Sequence, residues 1–223
     1  MSIALYDAAL AAASRTFGAG EMPVDGRDRD DVVVRFDDGT HQVLDVRRWS
    51  AHPDRADEAL LSRAIGPVLD VGCGPGRMVA ALASRGIAAL GLDLSATAVR
   101  LARRRGAFAI CGDVFGGLPM PGAWRQMLLV DGNIGIGGQP AALLRTLLSG
   151  LDPRGEILVE LSAPETSTGT VRARLEPPQG EPGAWFPWAR VAFGDIEAVA
   201  VESGLRAVEV WEVDERWFAR LRG

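Results

Sequence analysis

Val68-Leu69-Asp70-Val71-Gly72-Cys73-Gly74-Pro75-Gly76-Arg77 decides the fold of this 223-residue chain. The stretch reads as a buried strand, a loop with glycine at every second position, and the start of a helix. Gly72, Gly74 and Gly76 let backbone pass where a side chain would collide with a ligand. The loop opens a helix whose free N–H groups favour an anionic group. Together these features predict a nucleotide-type pocket at the end of a strand.

Charge narrows the choice of nucleotide. A dinucleotide sets its pyrophosphate on the helix N-terminus, usually with the spacing G-x-G-x-x-G. Here the spacing is G-x-G-x-G, and Asp70 precedes it. A carboxylate there repels a pyrophosphate and accepts a hydrogen bond from a ligand ammonium. S-adenosylmethionine carries an ammonium and a carboxylate at its methionine end, and no phosphate. Ile87–Leu92 reads as a second strand ending in Asp93, which lies 21 residues past Gly72. That is where a ribose diol needs a carboxylate. Ser95 caps a helix running from Ala96 to about Arg105. Ala107–Cys111 is a third strand, followed by Asp113, whose acid can bond an adenine amino group while Val114 and Phe115 pack near the ring. Trp124–Val130 is a fourth strand ending in Asp131. Each acid alone reads as well as a cap or a turn former. All four in register mark the sheet edge where open α/β folds bind ligands.

VLDVGCGPGR, GLDLS, CGDVF and WRQMLLVDGN resemble, in order, the motifs of class I S-adenosylmethionine-dependent methyltransferases. LDPRGEILVEL at 151–161 resembles that family's fifth-strand motif. The likeness covers roughly residues 66–161, and the end of the chain in topology. It implies an α/β fold: a three-layer, Rossmann-like sheet of seven strands, mostly parallel, with a C-terminal antiparallel hairpin. It implies S-adenosyl-L-methionine as cofactor and S-adenosyl-L-homocysteine as product. By this resemblance Asp70, Gly72, Gly74 and Gly76 cradle the methionine end, Asp93 holds the ribose and Asp113 meets the adenine. Cys73, Arg77, Leu94, Val114 and Asp131 complete the expected cofactor-binding set. One motif departs from the family's commoner forms. Asp131-Gly-Asn-Ile-Gly-Ile-Gly-Gly138 replaces the Pro-Pro-aromatic form of many methyltransferases of nucleic-acid bases and amide nitrogens, which speaks against base flipping and leaves the acceptor open.

Composition removes several classes. The net charge of −5 and pI of about 5.1 lack the basic footprint of a nucleic-acid partner. No apolar run approaches the length of a membrane span, and no leader pattern opens the chain, so a cytoplasmic location is expected. All 24 basic residues are arginine, which excludes lysine Schiff-base chemistry. Two histidines, His41 and His52, cannot build a multi-histidine centre, and no metal is expected. Cys73 and Cys111 read as packed thiols. No G-x-S-x-G elbow is present.

The chain divides into an N-terminal helix, hairpin and cap segment (1–65) and a cofactor-binding core (66–223) with an insertion at about 164–192. Ile3, Leu5, Tyr6, Leu10 and Ala13 predict a helix over 2–17, stopped by Gly18 and Gly20, then an acidic loop over 21–31. Val32–Phe36 and Gln42–Val46 flank Asp37-Asp-Gly-Thr40 as a hairpin. Pro53 and Asp54 start a helix that reaches Ala64. The resemblance places Trp49 and His52 at the acceptor site; plain packing is the other reading of Trp49. Arg172, Arg174, Trp185, Phe186 and Trp188 in the insertion suit an anionic or aromatic acceptor, or else patch the core. Helices are predicted at Ala141–Gly150 and Gly194–Ser203, and closing strands at Leu205–Val213 and Arg216–Leu221.

Catalysis by this chemistry needs mainly orientation, with a base only where the acceptor loses a proton. The weak candidates for a base are His52, His41, Asp131 and Glu160. Asn133 can orient an acceptor, or serve as a left-handed turn residue. The expected activity is methyl transfer to a small-molecule acceptor at O, N or C. Two alternatives stay open: a binding protein for the same cofactor without turnover, and an NAD(P)-dependent oxidoreductase.

Overall fold

The computed structural model describes residues 3–16 and 32–223; the expected helix stop at Gly18 and Gly20 and the acidic loop over 21–31 lie outside them. In chain order the elements begin α1 (Ile3–Thr16), β1 (Val33–Phe36), β2 (His41–Val43), α2 (Val46–Ser50) and α3 (Arg55–Leu61). They continue β3 (Val68–Val71), α4 (Arg77–Ser84), β4 (Ala89–Asp93), α5 (Ala96–Arg104), β5 (Ala109–Cys111) and β6 (Trp124–Leu129). After these come α6 (Pro140–Gly150), β7 (Leu151–Leu161), β8 (Gly169–Glu176), β9 (Phe186–Arg190), α7 (Ile196–Glu202), β10 (Arg206–Val213) and β11 (Arg216–Arg222).

Seven strands form one sheet in the order β10-β11-β7-β6-β3-β4-β5. The pairs from β5 to β7 are parallel, and β11 enters antiparallel to β7 and to β10. This is the expected seven-stranded Rossmann-like sheet with its C-terminal antiparallel hairpin. Asp214 and Glu215 turn that hairpin with positive φ of 52° and 57°. The strand faces alternate as a doubly covered sheet requires. Leu69, Met127, Leu129, Ile157 and Val159 pack against Leu143 and Leu147 of α6 and Ile196 of α7. Val68, Leu128, Leu158 and Phe218 pack against α3 and α4 on the opposite face. Asp54 caps α3 reciprocally with Asp57, and Ser95 caps α5 through the Ala98 amide, as the start signals predict.

The two flanking segments do not stand apart. β1 pairs antiparallel with β8, Val33 opposite Glu176 and Phe36 opposite Ala173, giving a second sheet of order β2-β1-β8-β9. The hairpin from the N-terminal segment and the strands of the insertion are therefore one lid sheet. A division at residue 65 cuts across it. The lid has its own apolar core, in which Val34, Phe36, Leu175 and Phe186 meet Tyr6 and Leu10 of α1. The predicted hairpin strand Gln42–Val46 ends at Val43, because Asp45 caps a short helix, α2, through the Arg48 amide. That helix carries Arg48 and Trp49 into the region between lid and core.

Candidate active site

A cavity of about 360 Å³ lies between the C-terminal ends of β3, β4, β5 and β6 and the inner face of the lid. Its floor is the glycine loop. Gly72, Gly74 and Gly76 have φ of 75°, 52° and 83°, left-handed backbone that glycine adopts without strain. Gly72 also lies under a clamp: the Asn133 amide donates to the carbonyls of Val71 and Gly72 at 3.0 and 2.9 Å. A Cβ at Gly72 would sit 2.5 Å from that amide nitrogen. Asn133 thus shapes the loop, and the left-handed residues are the two before it, Asp131 at φ 57° and Gly132 at φ 81°.

Asp70 is buried and lines the cavity. No described residue donates a hydrogen bond to its carboxylate, and burial beside Asp131 and Asp93 pushes its pKa up to about 8. A buried carboxyl facing open space without a donor is a site for a cationic or donating ligand group. Asp93 differs. One oxygen accepts from the Gly74 amide at 2.9 Å and the other from the Ser95 amide at 2.8 Å. It ties the glycine loop to the end of β4 and keeps further lone pairs on the cavity side. Burial raises its pKa despite both amides. Asp113 is exposed at the cavity edge; its carboxylate accepts from the Phe115 amide at 2.9 Å. Leu94, Val114 and Phe115 surround that end, and Cys73 lines the opposite side of the loop. Burial pushes the Cys73 thiol's pKa up, which keeps it a packed neutral group.

Other candidates are committed to structure. Asp131 lies on the cavity wall, but its carboxylate accepts from Arg48 at 2.7 Å and from Arg77 at 2.5 Å. Arg77 is buried between Asp131 and Asp57, so it reaches the cavity as a neutralised group. Glu160 takes a bidentate pair from Arg216 at 2.7 and 2.9 Å and also accepts the Asp131 amide at 2.7 Å. Arg216 further bonds Asp57 at 2.8 Å. Desolvation alone would lower the Arg216 pKa; its bonds to Glu160 and the nearby acids outweigh this and raise it. Glu160 does not line the cavity, and as a base it is corrected on that ground and by its Arg216 pair. Asp131 likewise has a guanidinium on each carboxylate oxygen. His52 and His41 are exposed and do not line the cavity.

The aromatic residues separate cleanly. Trp49 lines the cavity and meets Tyr6 edge-on at 6.1 Å. Phe186 and Trp188 line it from β9. Trp185 does not. Arg174 stacks over Trp185 at 4.7 Å and pairs with Glu176 at 2.5 Å, on the lid face turned away. The expected Arg172, Arg174 and Trp185 contact with an acceptor is therefore corrected, because strand alternation turns those side chains outward. Tyr6, Val34, Gln42, Leu44 and Leu175 are cavity residues that the sequence reading did not assign. The alternating apolar positions Val34 and Phe36 in β1, and Ala173 and Leu175 in β8, are the signal that marks their inward face.

Residues 68–155 match a family model described as a methyltransferase domain. A solved S-adenosylmethionine-dependent methyltransferase from Bacteroides fragilis, in complex with S-adenosyl-L-homocysteine, has a TM-score of 0.77 at 22% identity, covering 97% of this chain and 94% of that one. The CcbJ methyltransferase of Streptomyces caelestis has a TM-score of 0.60 at 16% identity, with 78% and 92% covered. The 1,6-didemethyltoxoflavin-N1-methyltransferase of Burkholderia thailandensis has a TM-score of 0.55 at 16% identity, with 75% and 76% covered. These likenesses establish the fold. No curated protein sequence matches the chain. Residues 68–155 are thus similar to a methyltransferase domain, set in a fold shared with solved S-adenosylmethionine-dependent methyltransferases.

Proposed function

We propose that the protein transfers a methyl group from S-adenosylmethionine to a small organic acceptor, at O, N or C. The carrying observation is Asp70, a buried carboxyl on the cavity floor that lacks any described donor. An amino-acid ammonium fits it, and the open loop at Gly74 gives the attached carboxylate and backbone room. Asp93 takes the ribose hydroxyls with its remaining lone pairs, and Asp113 with Val114 takes the adenine. When bound, S-adenosylmethionine supplies an electrophilic methyl carbon, and the C–S bonding pair stays with sulfur in S-adenosylhomocysteine. The protein's part is to hold the acceptor in line and exclude water; orientation of this kind is worth about 7–11 kcal/mol.

The rim also argues against a phosphorylated dinucleotide. Arg77, the one cation lining the cavity among the described residues, is already neutralised by Asp57 and Asp131. A nicotinamide cofactor would meet Asp70 and Asp93 with no counter-charge. A second reading, cofactor binding without turnover, draws on Asp131 being held by two arginines and on Glu160, His41 and His52 lying off the cavity. The net charge of −5 favours a small acceptor over a nucleic acid. Calorimetric titration with S-adenosylhomocysteine, S-adenosylmethionine and NADPH tests the assignment. Binding of the first two and not the third is the expected result. No binding of either by folded protein overturns it, and binding with no methylated product across a broad acceptor panel selects the second reading.

A further inference from the structure

The lid presents a cavity face with no charged side chain among the described residues. Along β1 and β8, Val34, Ala173 and Leu175 point inward, while Arg35, Arg174 and Glu176 pair on the far side. Trp49 and Trp188 add two indoles to the inner surface, and Gln42 adds a single amide. We infer that the acceptor is an uncharged, flat, mainly apolar ring molecule bearing one hydrogen-bonding substituent, seated against Trp49, Trp188 and Leu175. This rests on the donor-site reading above, which assigns the carboxylate-bearing floor to the cofactor and leaves the lid face to the acceptor.

Two independent features support it. An ionised acceptor would leave water for a surface that returns no counter-charge, a cost that a neutral ring avoids. The aromatic wall is also built into the fold by the glycines after β6. A Cβ at Gly135 would stand 2.5 Å from the Trp188 indole nitrogen and 2.3 Å from the Ala189 carbonyl oxygen, and one at Gly138 would stand 2.9 Å from Pro187. The Gly132–Gly138 stretch thus makes room for an indole at the cavity. The missing base points the same way. Glu160 is held by Arg216, Asp131 by two arginines, both histidines lie off the cavity, and the described lid face carries no carboxylate or imidazole, so against that face the reacting atom must bring its own lone pair. A neutral ring nitrogen or an un-ionised ring hydroxyl does so.

Three probes sharing one ring test the inference: 2-naphthol, 2-naphthoate and 2-naphthylmethylammonium, titrated calorimetrically into protein saturated with S-adenosylhomocysteine. Naphthol should bind about tenfold or more tighter than either charged probe. Trp188→Ala should weaken naphthol by about tenfold and leave S-adenosylhomocysteine affinity within about twofold. Gln42→Glu, a surface-tolerated change at the lid, should raise affinity for the ammonium probe by about fivefold. A charged probe equal to naphthol, no naphthol binding, or unchanged naphthol binding in Trp188→Ala overturns the inference. Should Trp188→Ala fail to fold, an unchanged ammonium affinity in Gln42→Glu overturns it. Absence of S-adenosylhomocysteine binding is a separate failure, of the donor-site reading; the same probes on ligand-free protein then decide the lid chemistry alone.

Discussion

Asp70 and Asp93 sit at the ends of neighbouring strands, β3 and β4, with opposite hydrogen-bonding environments. Asp93 has an amide on each oxygen, and Asp70 has no described donor. Asp70 should therefore titrate where few carboxyls do. Its pKa is about 8 in the folded chain, against about 4 unfolded. The folded state holds the proton across that window, so the group's contribution to stability is full below pH 4 and is lost as pH rises through 8. Asp70→Asn keeps the shape and never ionises. Its melting temperature should match the wild type near pH 4 and exceed it at pH 8 and above, by a margin equivalent to about 1–3 kcal/mol. Thermal melts across pH 4–9 check this, and parallel curves would remove the titration. Ligand binding carries the opposite sign for the same residue. An ammonium next to Asp70 favours the carboxylate, so S-adenosylhomocysteine affinity should tighten from pH 6 to 8 as proton release becomes unnecessary. In Asp70→Asn the affinity should fall by about tenfold, or about 1.4 kcal/mol, and this pH slope should flatten.

Arg77, Arg48 and Arg216 join α2, α3 and α4 to the ends of β6, β7 and β11 through Asp57, Asp131 and Glu160. Such buried networks add little over an apolar replacement of the whole, yet removal of one member strands the others. Arg77→Met should destabilise the protein by about 3–5 kcal/mol, read as a lower urea midpoint, since Asp57 and Asp131 lose a shared partner. A loss within about 0.5 kcal/mol would show that Arg216 and Arg48 suffice. Gly135→Ala should cost about 1–3 kcal/mol, because its methyl meets backbone at the Ala189 carbonyl as well as the Trp188 indole. The donor-side elements were legible because each is local: a strand, a tight turn and an acid within ten residues. The arginine network was not, since Arg48, Arg77, Asp131 and Arg216 are distant in sequence and α2 is a five-residue helix that starts at the last residue of the predicted strand Gln42–Val46. Glu160 shows the limit most plainly. Its strand was readable, but its partner Arg216 follows from the register of β11 against β7.

Two apolar cores of unequal standing organise the described residues. One fills both faces of the seven-stranded sheet; the other sits under the lid, shared by β1, β8, β9 and α1. The lid could not be assembled from sequence, because β1 and β8 pair across a gap of more than a hundred residues and nothing local specifies the register of Val33 against Glu176. Its strands are also more exposed than those of the main sheet: all three residues of β2 are exposed, while all four of β3 are buried. Amides in β3, β6 and β7 can exchange only by near-global opening, whereas an edge hairpin opens locally. Hydrogen exchange should therefore run about tenfold or more faster over residues 33–43 than over 68–71 and 124–129 in ligand-free protein. The cavity is floored by one core and roofed by the other, so a ligand touching both couples their opening. S-adenosylhomocysteine should slow exchange at 70–74, the proposed donor floor, with a smaller effect on the lid. Adding 2-naphthol should then slow 33–43 and 186–190, because the inner lid face gains a partner only at that step. Exchange in the lid that ignores both ligands would mean the roof takes no part in binding, and the acceptor would have to be sought along the rim beside Phe115.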